Sequence, residues 1–226
     1  MAGNVLRPRR IVIGEPTSLH PARAGKGYCL AEVTVTGKEA HSAHPEQGVS
    51  AIFHAARLIA AIESLAARLA EEKNSFFHPA WTTLNIGTIH GGTAKNIVPG
   101  LCTFELEWRP IPGQSADAVL ESVTTLVTEL AGVHQNFHAE VHPLRQQPGF
   151  ETPADAPLVR TVESLSERPA VSIPFGSEAS IFSTLAEEII VFGPGNMRTA
   201  HSRRECVPLA ELDAAVSILG NLIQER

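Results

Sequence analysis

Cysteine is scarce and poorly placed for chemistry. Cys29, Cys102 and Cys206 are far apart, odd in number and form no CxxC pair. That excludes a disulfide framework and points to buried or free thiols in a reducing cytoplasm. Long apolar runs are absent too: nothing approaches the roughly 18–20 residues of a membrane helix. The Met-Ala-Gly-Asn start lacks the charged lead and apolar core of a secretion signal. Positive charge is not in excess. The net charge is -6 over 226 residues, and the densest basic cluster, Arg7, Arg9 and Arg10, is short. Neither nucleic acid nor a lipid surface is expected as a partner. P-loop, GxGxxG, HExxH and Gly-x-Ser-x-Gly patterns are missing. Their absence removes phosphate-loop, dinucleotide, zincin and nucleophile-elbow chemistries from consideration.

What is present is a soluble composition, 43% hydrophobic and 19% charged, long enough for one large domain or two small ones. Ile11-Val12-Ile13 is a β-branched run stopped by Gly14 and predicts a buried strand. Residues 28–37 alternate apolar and polar, as do 101–111, so both predict half-buried strands; 82–90 and 137–144 predict two more. Ile52, Ala55, Ala56, Ile59, Ile62, Ala66 and Leu69 recur at helical spacing within 48–72. A second amphipathic helix is predicted over 115–130, with Ser115 as its N-cap. The order from 28 to about 144 is βαββαβ, the split-βαβ, ferredoxin-like arrangement. Beyond it, helices over 158–166, 178–185 and 209–224 alternate with strands over 170–174 and 189–192. This predicts an α/β layer with parallel pairing, which the Ile11 strand joins. The fold class is α/β: a partial catalytic α/β domain (1–24 and 148–226) interrupted by a ferredoxin-like domain (25–147).

The candidate chemistry sits in the connections. Glu15 follows the first strand in a Gly-Glu-Pro turn, where α/β sheets gather their ligands. His201 follows Phe192-Gly193-Pro194-Gly195 on a loop at the other end of the chain. Each is a metal ligand or an ordinary turn residue when taken singly. His41 and His44 share a loop, and His41 suits hydrogen bonding to a developing oxyanion or a structural role at the helix entrance. Asn96 lies in a Gly-Gly turn and can donate and accept. Arg109 carries a guanidinium fork suited to a carboxylate or to a surface ion pair. Gly176 and Ser177 open a predicted helix whose backbone N–H groups could hold an anion.

Seven segments in order carry a resemblance: VIGEPT (12–17), RAGKGY (23–28), VTGKEAHSAHPEQGVSAI (35–52), LNIGTIHGGTAKNIVP (84–99), FELEWRPIPG (104–113), FGSEASIF (175–182) and VFGPGNMRTAHSRRE (191–205). Together the chain resembles the zinc-dependent deacylase and exopeptidase family. Within it, the GGTAKNIVP, WRPIPG and GSEASIF segments resemble the branch that deacetylates N-acetylornithine in arginine biosynthesis. The resemblance implies metal-assisted hydrolysis of an N-acyl amino acid, with two zinc ions per complete site and cobalt as an alternative. It implies that Glu15 and His201 are ligands of different metals. His41 would reach from one subunit into its partner's site to stabilise the oxyanion. Asn96 and Arg109 would hold the substrate carboxylate, and Gly176 and Ser177 would line the substrate. It also implies a homodimer through 25–147.

The family pattern includes a preceding segment with a metal-binding histidine, a bridging aspartate and a Glu-Glu pair that supplies the general base. Only ten residues precede Ile11, and Glu71-Glu72 and Glu187-Glu188 stand in the wrong places. Two of five ligands are accounted for. The expectation is a C-terminal portion of such an enzyme, inactive alone. The alternative is a non-catalytic ferredoxin-like module that dimerises or binds amino acids.

Overall fold

The computed structural model describes residues 8–224. In chain order its elements are β1 (Arg10–Ile13), β2 (Ala22–Gly25), β3 (Tyr28–Thr36), β4 (Ala40–His41), α1 (Ala51–Leu69), β5 (Thr83–Gly91), β6 (Ile97–Val98), β7 (Leu101–Arg109) and α2 (Ala118–Val133). They continue with β8 (His138–Gln147), β9 (Phe150–Glu151), α3 (Pro157–Ser166), β10 (Val171–Ile173), α4 (Ala179–Phe182), β11 (Glu188–Val191) and α5 (Leu209–Gln224). Two compact units result: Tyr28–Pro148, and the flanking segments up to Gly27 and from Gly149.

The inserted unit is a four-stranded antiparallel sheet in the order β5-β7-β3-β8. Alternation explains it. Cys29, Ala31, Val33 and Val35 of β3 and Cys102, Phe104, Leu106 and Trp108 of β7 all point to one buried face. Ala51, Ala55, Leu58, Ile62 and Leu65 of α1 and Val119 and Val123 of α2 cover that face. Each large side chain buried there contributes about 1.5–3 kcal/mol. The opposite strand positions, among them Glu32, Thr36 and Glu105, are exposed. This is the ferredoxin-like βαββαβ fold, with the two-residue ladder β4–β6 added. Ser50 caps α1 by accepting the Phe53 N–H at 3.3 Å. Ser115 does not cap α2 as expected. Its hydroxyl accepts the Asp117 N–H at 3.1 Å in the preceding turn, and the helix begins at Ala118.

In the flanking unit the sheet order is β1-β11-β2-β10, with β9 on β2. β1 runs parallel to β11, and β10 to β2, but β2 runs antiparallel to β11. The sheet is therefore mixed rather than uniformly parallel. The reason is β2, an Ala-Arg-Ala-Gly strand without the β-branched residues that mark strands in a sequence. Small residues are needed there: Ala22 and Ala24 are fully buried, and a Cβ on Gly25 would meet the Phe150 ring at 2.4 Å. Leu158, Val159, Val162, Ala215 and Ile218 of α3 and α5 pack on one face with Ile190 and Phe192. Ala179 of α4 packs on the other with Ile189, Val191 and Ile173. The start of α3 is tied to the sheet by buried Glu188, whose carboxylate accepts the Leu158 N–H at 2.6 Å and lies 3.7 Å from Arg10. Helix α4 spans four residues, shorter than expected. Among the described residues no helix is long and apolar enough to cross a membrane.

Burial pushes the Cys29 thiol up to about 11 and raises that of Cys102, while Cys206 is exposed. His54 is a buried histidine on α1, stacked on Phe137 with ring centroids 5.2 Å apart, and its Nδ1 has no hydrogen-bond partner. Burial, then Arg57 and His134, lower its pKa from 6.5. The unfolded chain therefore binds this proton more tightly than the folded one. The stability that depends on neutral His54 is complete above pH 6.5 and is lost as pH falls through the lower folded value. The expected result is that wild-type unfolding free energy drops as pH falls below 6.5, and that His54→Leu shrinks this drop. An equal drop in both proteins, measured by urea titration, would remove His54 as its source.

Candidate functional site

Two loops from opposite ends of the sequence meet at the carboxyl ends of β1 and β11. Ile13 is in register with Val191, so the chain leaves both strands side by side. The Thr17 and Leu19 N–H groups donate to the Gly193 carbonyl at 3.2 and 3.0 Å, and the Ser18 N–H donates to Gly195 O at 2.7 Å. The Gly193 N–H returns to the Thr17 hydroxyl at 3.2 Å. Gly195 has φ +88, a conformation that favours glycine, and its N–H donates to Glu211 at 2.8 Å.

This crossing brings Glu15 and His201 into one electrostatic neighbourhood. Burial is the main reason the Glu15 carboxyl lies above its ordinary 4.5; Glu178 adds to the rise and His201 opposes it. His201 is exposed, has φ +58 and donates its backbone N–H to Glu205 Oε2 at 2.9 Å. Left-handed histidine is uncommon, and such strain concentrates at functional loops. Glu178 was missed by sequence reasoning. It belongs to the quoted GSEASIF segment, but nothing in a linear pattern reveals that its charge reaches Glu15.

Gly176 and Ser177 precede α4. The expected free N–H groups at this helix start are already used: Ala179 N–H donates to Ser177 Oγ at 3.3 Å and Ser180 N–H to Ser177 O at 3.2 Å. Helix α4 is only four residues long, so these two N–H groups are turned inward at its start.

In the inserted unit, β4 and β6 pair His41 with Ile97 and set His41 beside Asn96 in the chain path. Ser42 N–H donates to the Asn96 carbonyl at 2.9 Å. The loop is held at its root, where Lys38 and Val49 exchange backbone hydrogen bonds at 2.8 Å and Gly37 N–H donates to Gly100 O at 2.8 Å. Both side chains are exposed. Ala43 N–H donates to His41 Nδ1 at 3.0 Å, which makes Nδ1 the acceptor and leaves Nε2 as the protonated nitrogen of the neutral ring.

Arg109 is elsewhere. Its Nε is 2.8 Å from Glu107 Oε1, and its guanidinium lies 4.8 Å from the Tyr28 ring centroid, with Arg145 at 5.0 Å. Asn96 lies near the Leu101 end of β7 and Arg109 at the other, about 26 Å apart at the usual strand rise. The expectation that these two hold one carboxylate fails within a single copy, because no pair of side chains spans that length.

Among the described residues no group of three His, Cys, Asp or Glu side chains could hold an ion. Glu15 and His201 are two donors, short of the roughly three protein ligands a catalytic metal takes. The sequence likewise offers only these two of the five ligands that the family resemblance implies.

The tight crossing has a direct test. A Cβ on Gly193 would sit 2.7 Å from the Glu15 carbonyl oxygen, whereas one on Gly14 would meet nothing within 4 Å. Gly193→Ala is expected to destabilise the flanking unit by about 1–3 kcal/mol, and Gly14→Ala to stay within about 0.5 kcal/mol. Chemical denaturation checks both, and equal effects would show that the crossing is not tight.

Residues 23–135 match the peptidase dimerisation domain. The chain is 44% identical over 218 residues to an acetylornithine deacetylase of Myxococcus xanthus, covering 96% of the chain and 57% of the relative. It is 33% identical over 225 residues to an acetylornithine deacetylase of Aliivibrio salmonicida, covering 98% and 58%. A tripeptidase structure from Staphylococcus aureus superposes with TM-score 0.74 at 25% identity, over 92% of this chain and 53% of that one. The aminopeptidase PepT of Bacillus cereus shares the fold with TM-score 0.70 at 22% identity, over 94% and 55%. The chain thus spans just over half the length of the relatives it matches. By the match across half its residues, the chain belongs to the deacylase and exopeptidase family that carries the peptidase dimerisation domain.

Proposed function

We propose that this chain is the part of a metal-dependent amide hydrolase that carries two ligands and the dimerisation domain, acting on N-acyl amino acids and most specifically on N-acetylornithine, in the cytoplasm. The observation that carries the reading is the convergence of the Glu15 and His201 loops. It occurs in a chain 44% identical to an acetylornithine deacetylase over nearly its whole length. In this reading Glu15 and His201 each serve one of two zinc ions, for which cobalt can substitute. The remaining ligands and the general base come from outside the described residues, and the chain alone does not turn over substrate.

His41 and Asn96 then serve the site of a second copy, and Arg109 holds the substrate carboxylate. Gly176 and Ser177 line the substrate. Two features support the His41 role: an exposed ring, and a protonated Nε2 able to donate to a developing oxyanion. The separation of Asn96 from Arg109 supports assignment to different copies.

The edge that joins the copies is β5. The other edge, β8, is blunted by Pro143 and by exposed Arg145 beside a register shift. β5 has a bulge at Gly87 but neither proline nor, His90 apart, an ionisable residue. Ile89 on this strand and Phe53 on α1 are 51% and 68% exposed. Replacing both by glutamate is expected to convert a dimer to a monomer in sedimentation; a monomeric wild type would refute this interface.

The activity is tested by supplying the part of the Myxococcus relative that lies outside the aligned stretch, with zinc. Hydrolysis of N-acetylornithine is expected only in the mixture. His41→Ala should lower kcat by about 10²–10³-fold with little change in KM, and Arg109→Ala should act mainly on KM. A zinc-loaded mixture that hydrolyses no N-acyl amino acid would sink the proposal. Turnover by the isolated chain would overturn the claim that it is silent alone. The two-donor count favours a second reading, a non-catalytic dimerising or amino-acid-binding module; carboxylate binding without hydrolysis in that mixture would favour it.

A further inference from the structure

The loop that carries His41 has both its ends at one place. It leaves β3 at Thr36, which is in register with His138 at the start of β8. It ends at Ser50, the cap of α1. Phe137 immediately precedes His138. His54 is the fourth residue of α1, and its N–H donates to the Ser50 carbonyl at 3.2 Å. The stacked rings of His54 and Phe137 therefore join the two roots of the loop, one side chain from each.

Both rings are buried. Phe137 is set by its turn: Asn136 has φ +60, which asparagine tolerates, and the Phe137 N–H donates to the His134 carbonyl at 3.2 Å. Phe137 also lines a cavity of about 550 Å³ together with Gly37, Lys38, Gly48 and Val49 of the loop. The root of the loop thus has an aromatic wall on one side and room to move beside it.

His54 is the conditional member of the pair. Its Nδ1 is buried without a hydrogen-bond partner. A neutral ring can keep its proton on Nε2, but an imidazolium must put an N–H at Nδ1, where nothing accepts it. The surroundings oppose the charge as well. Arg57, further along α1, and His134, at the end of α2, both act against it, and so does the first turn of a helix. Among the described residues no carboxylate acts on His54. The cavity wall brings Lys38 and His138, and its carboxylate, Glu46, lies 3.8 Å from His44 instead. A protonated His54 has to leave the stack to reach water, and Phe137 then loses the surface that holds it.

We infer that the His54–Phe137 stack is a clasp that fixes the His41 loop while His54 is neutral and lets the loop loosen when His54 takes a proton. His54 is then a positioning residue, acting on chemistry only through the order of the loop. The consequence for catalysis rests on the function proposed above; the clasp itself rests on packing and charge within the inserted unit.

The test reads amide hydrogen exchange of the 226-residue chain above and below pH 6.5, with intrinsic exchange rates divided out. On acidification the amides of Lys38, Ser42, Val49 and Phe137 should lose protection by about tenfold or more, while those of Val33 and Phe104 in the sheet change less. His54→Phe keeps a ring that takes no proton and should hold the loop on both sides of that pH. His54→Ala removes the stack and should leave the loop as open at high pH as the wild type is at low pH. Circular dichroism reports whether each variant folds; should His54→Ala fail, the wild type against His54→Phe decides alone. Three results overturn the inference. The first is wild-type loop protection that does not change with pH. The second is an equal loss in the wild type and His54→Phe, which would move the titration to His134, His138 or another group. The third is a folded His54→Ala whose loop is as protected as the wild type's. Acid loosening in the wild type but not in His54→Phe, in a chain whose mixture with the Myxococcus segment hydrolyses no N-acyl amino acid, upholds the clasp and defeats only the function.

Discussion

The parallel register of β1 on β11 carries the rest of the candidate site. Ile11, Val12 and Ile13 pair with Ile189, Ile190 and Val191, so two chain segments nearly the full sequence apart end their strands together. Beyond the strands, side chains no longer enforce the match. Backbone hydrogen bonds take over: three N–H groups from Thr17, Ser18 and Leu19 converge on the carbonyls of Gly193 and Gly195. Gly193 can approach the Glu15 backbone because it has no side chain. The glycines of the Phe-Gly-Pro-Gly turn are therefore steric requirements, one for closeness and one, Gly195, for its left-handed φ.

The same unit tolerates a large insertion because the insertion begins and ends at one place. β2 and β9 pair antiparallel, Ala24 with Glu151 and Gly25 with Phe150, immediately before and after it. Arg23 reinforces that ladder by donating to Glu151 at 2.8 Å and to the Thr152 carbonyl at 3.0 Å. Inside the inserted unit Tyr28 is in register with Gln147, so β3 opens and β8 closes it side by side. An insert with adjacent ends adds little strain to its host, which is why a ferredoxin-like unit with its own core can interrupt an α/β layer.

Elements with strong periodicity were legible in the sequence. Helix α5 has the bounds the pattern predicted, and β3 and β7 follow their alternation residue by residue. What was not legible is instructive. β2 is a strand because small residues fit under Phe150, which is a tertiary reason that propensity does not record. Ser115 precedes a helix, yet the turn claims its hydroxyl first. Glu15 and His201 could be nominated from their strand-end positions, but their nearness, and that of Glu178, is a property of register alone. Arg109 was nominated for its charge; its partners Glu107 and Tyr28 sit on the same exposed sheet face and could have been read from strand alternation.

The placement of His41 completes the physical picture. A histidine that stabilises charge within its own fold is ordinarily packed and hydrogen-bonded on both sides of its ring. His41 is instead fixed on one side, through Nδ1 and the Ala43 N–H, and exposed on the other. The loop that carries it is tied down at Lys38, Val49 and Gly100 and stands at the far end of the sheet from Arg109. Ordering a loop costs conformational entropy, and this one is ordered with the His41 ring held through Nδ1 and otherwise exposed. A rigid loop with one committed nitrogen and one outward N–H is preorganised for an acceptor brought by something else. Glu15 and His201, two donors at an open sheet edge, have the same character. In the proposed reading both are half-sites, each completed by groups outside the described residues.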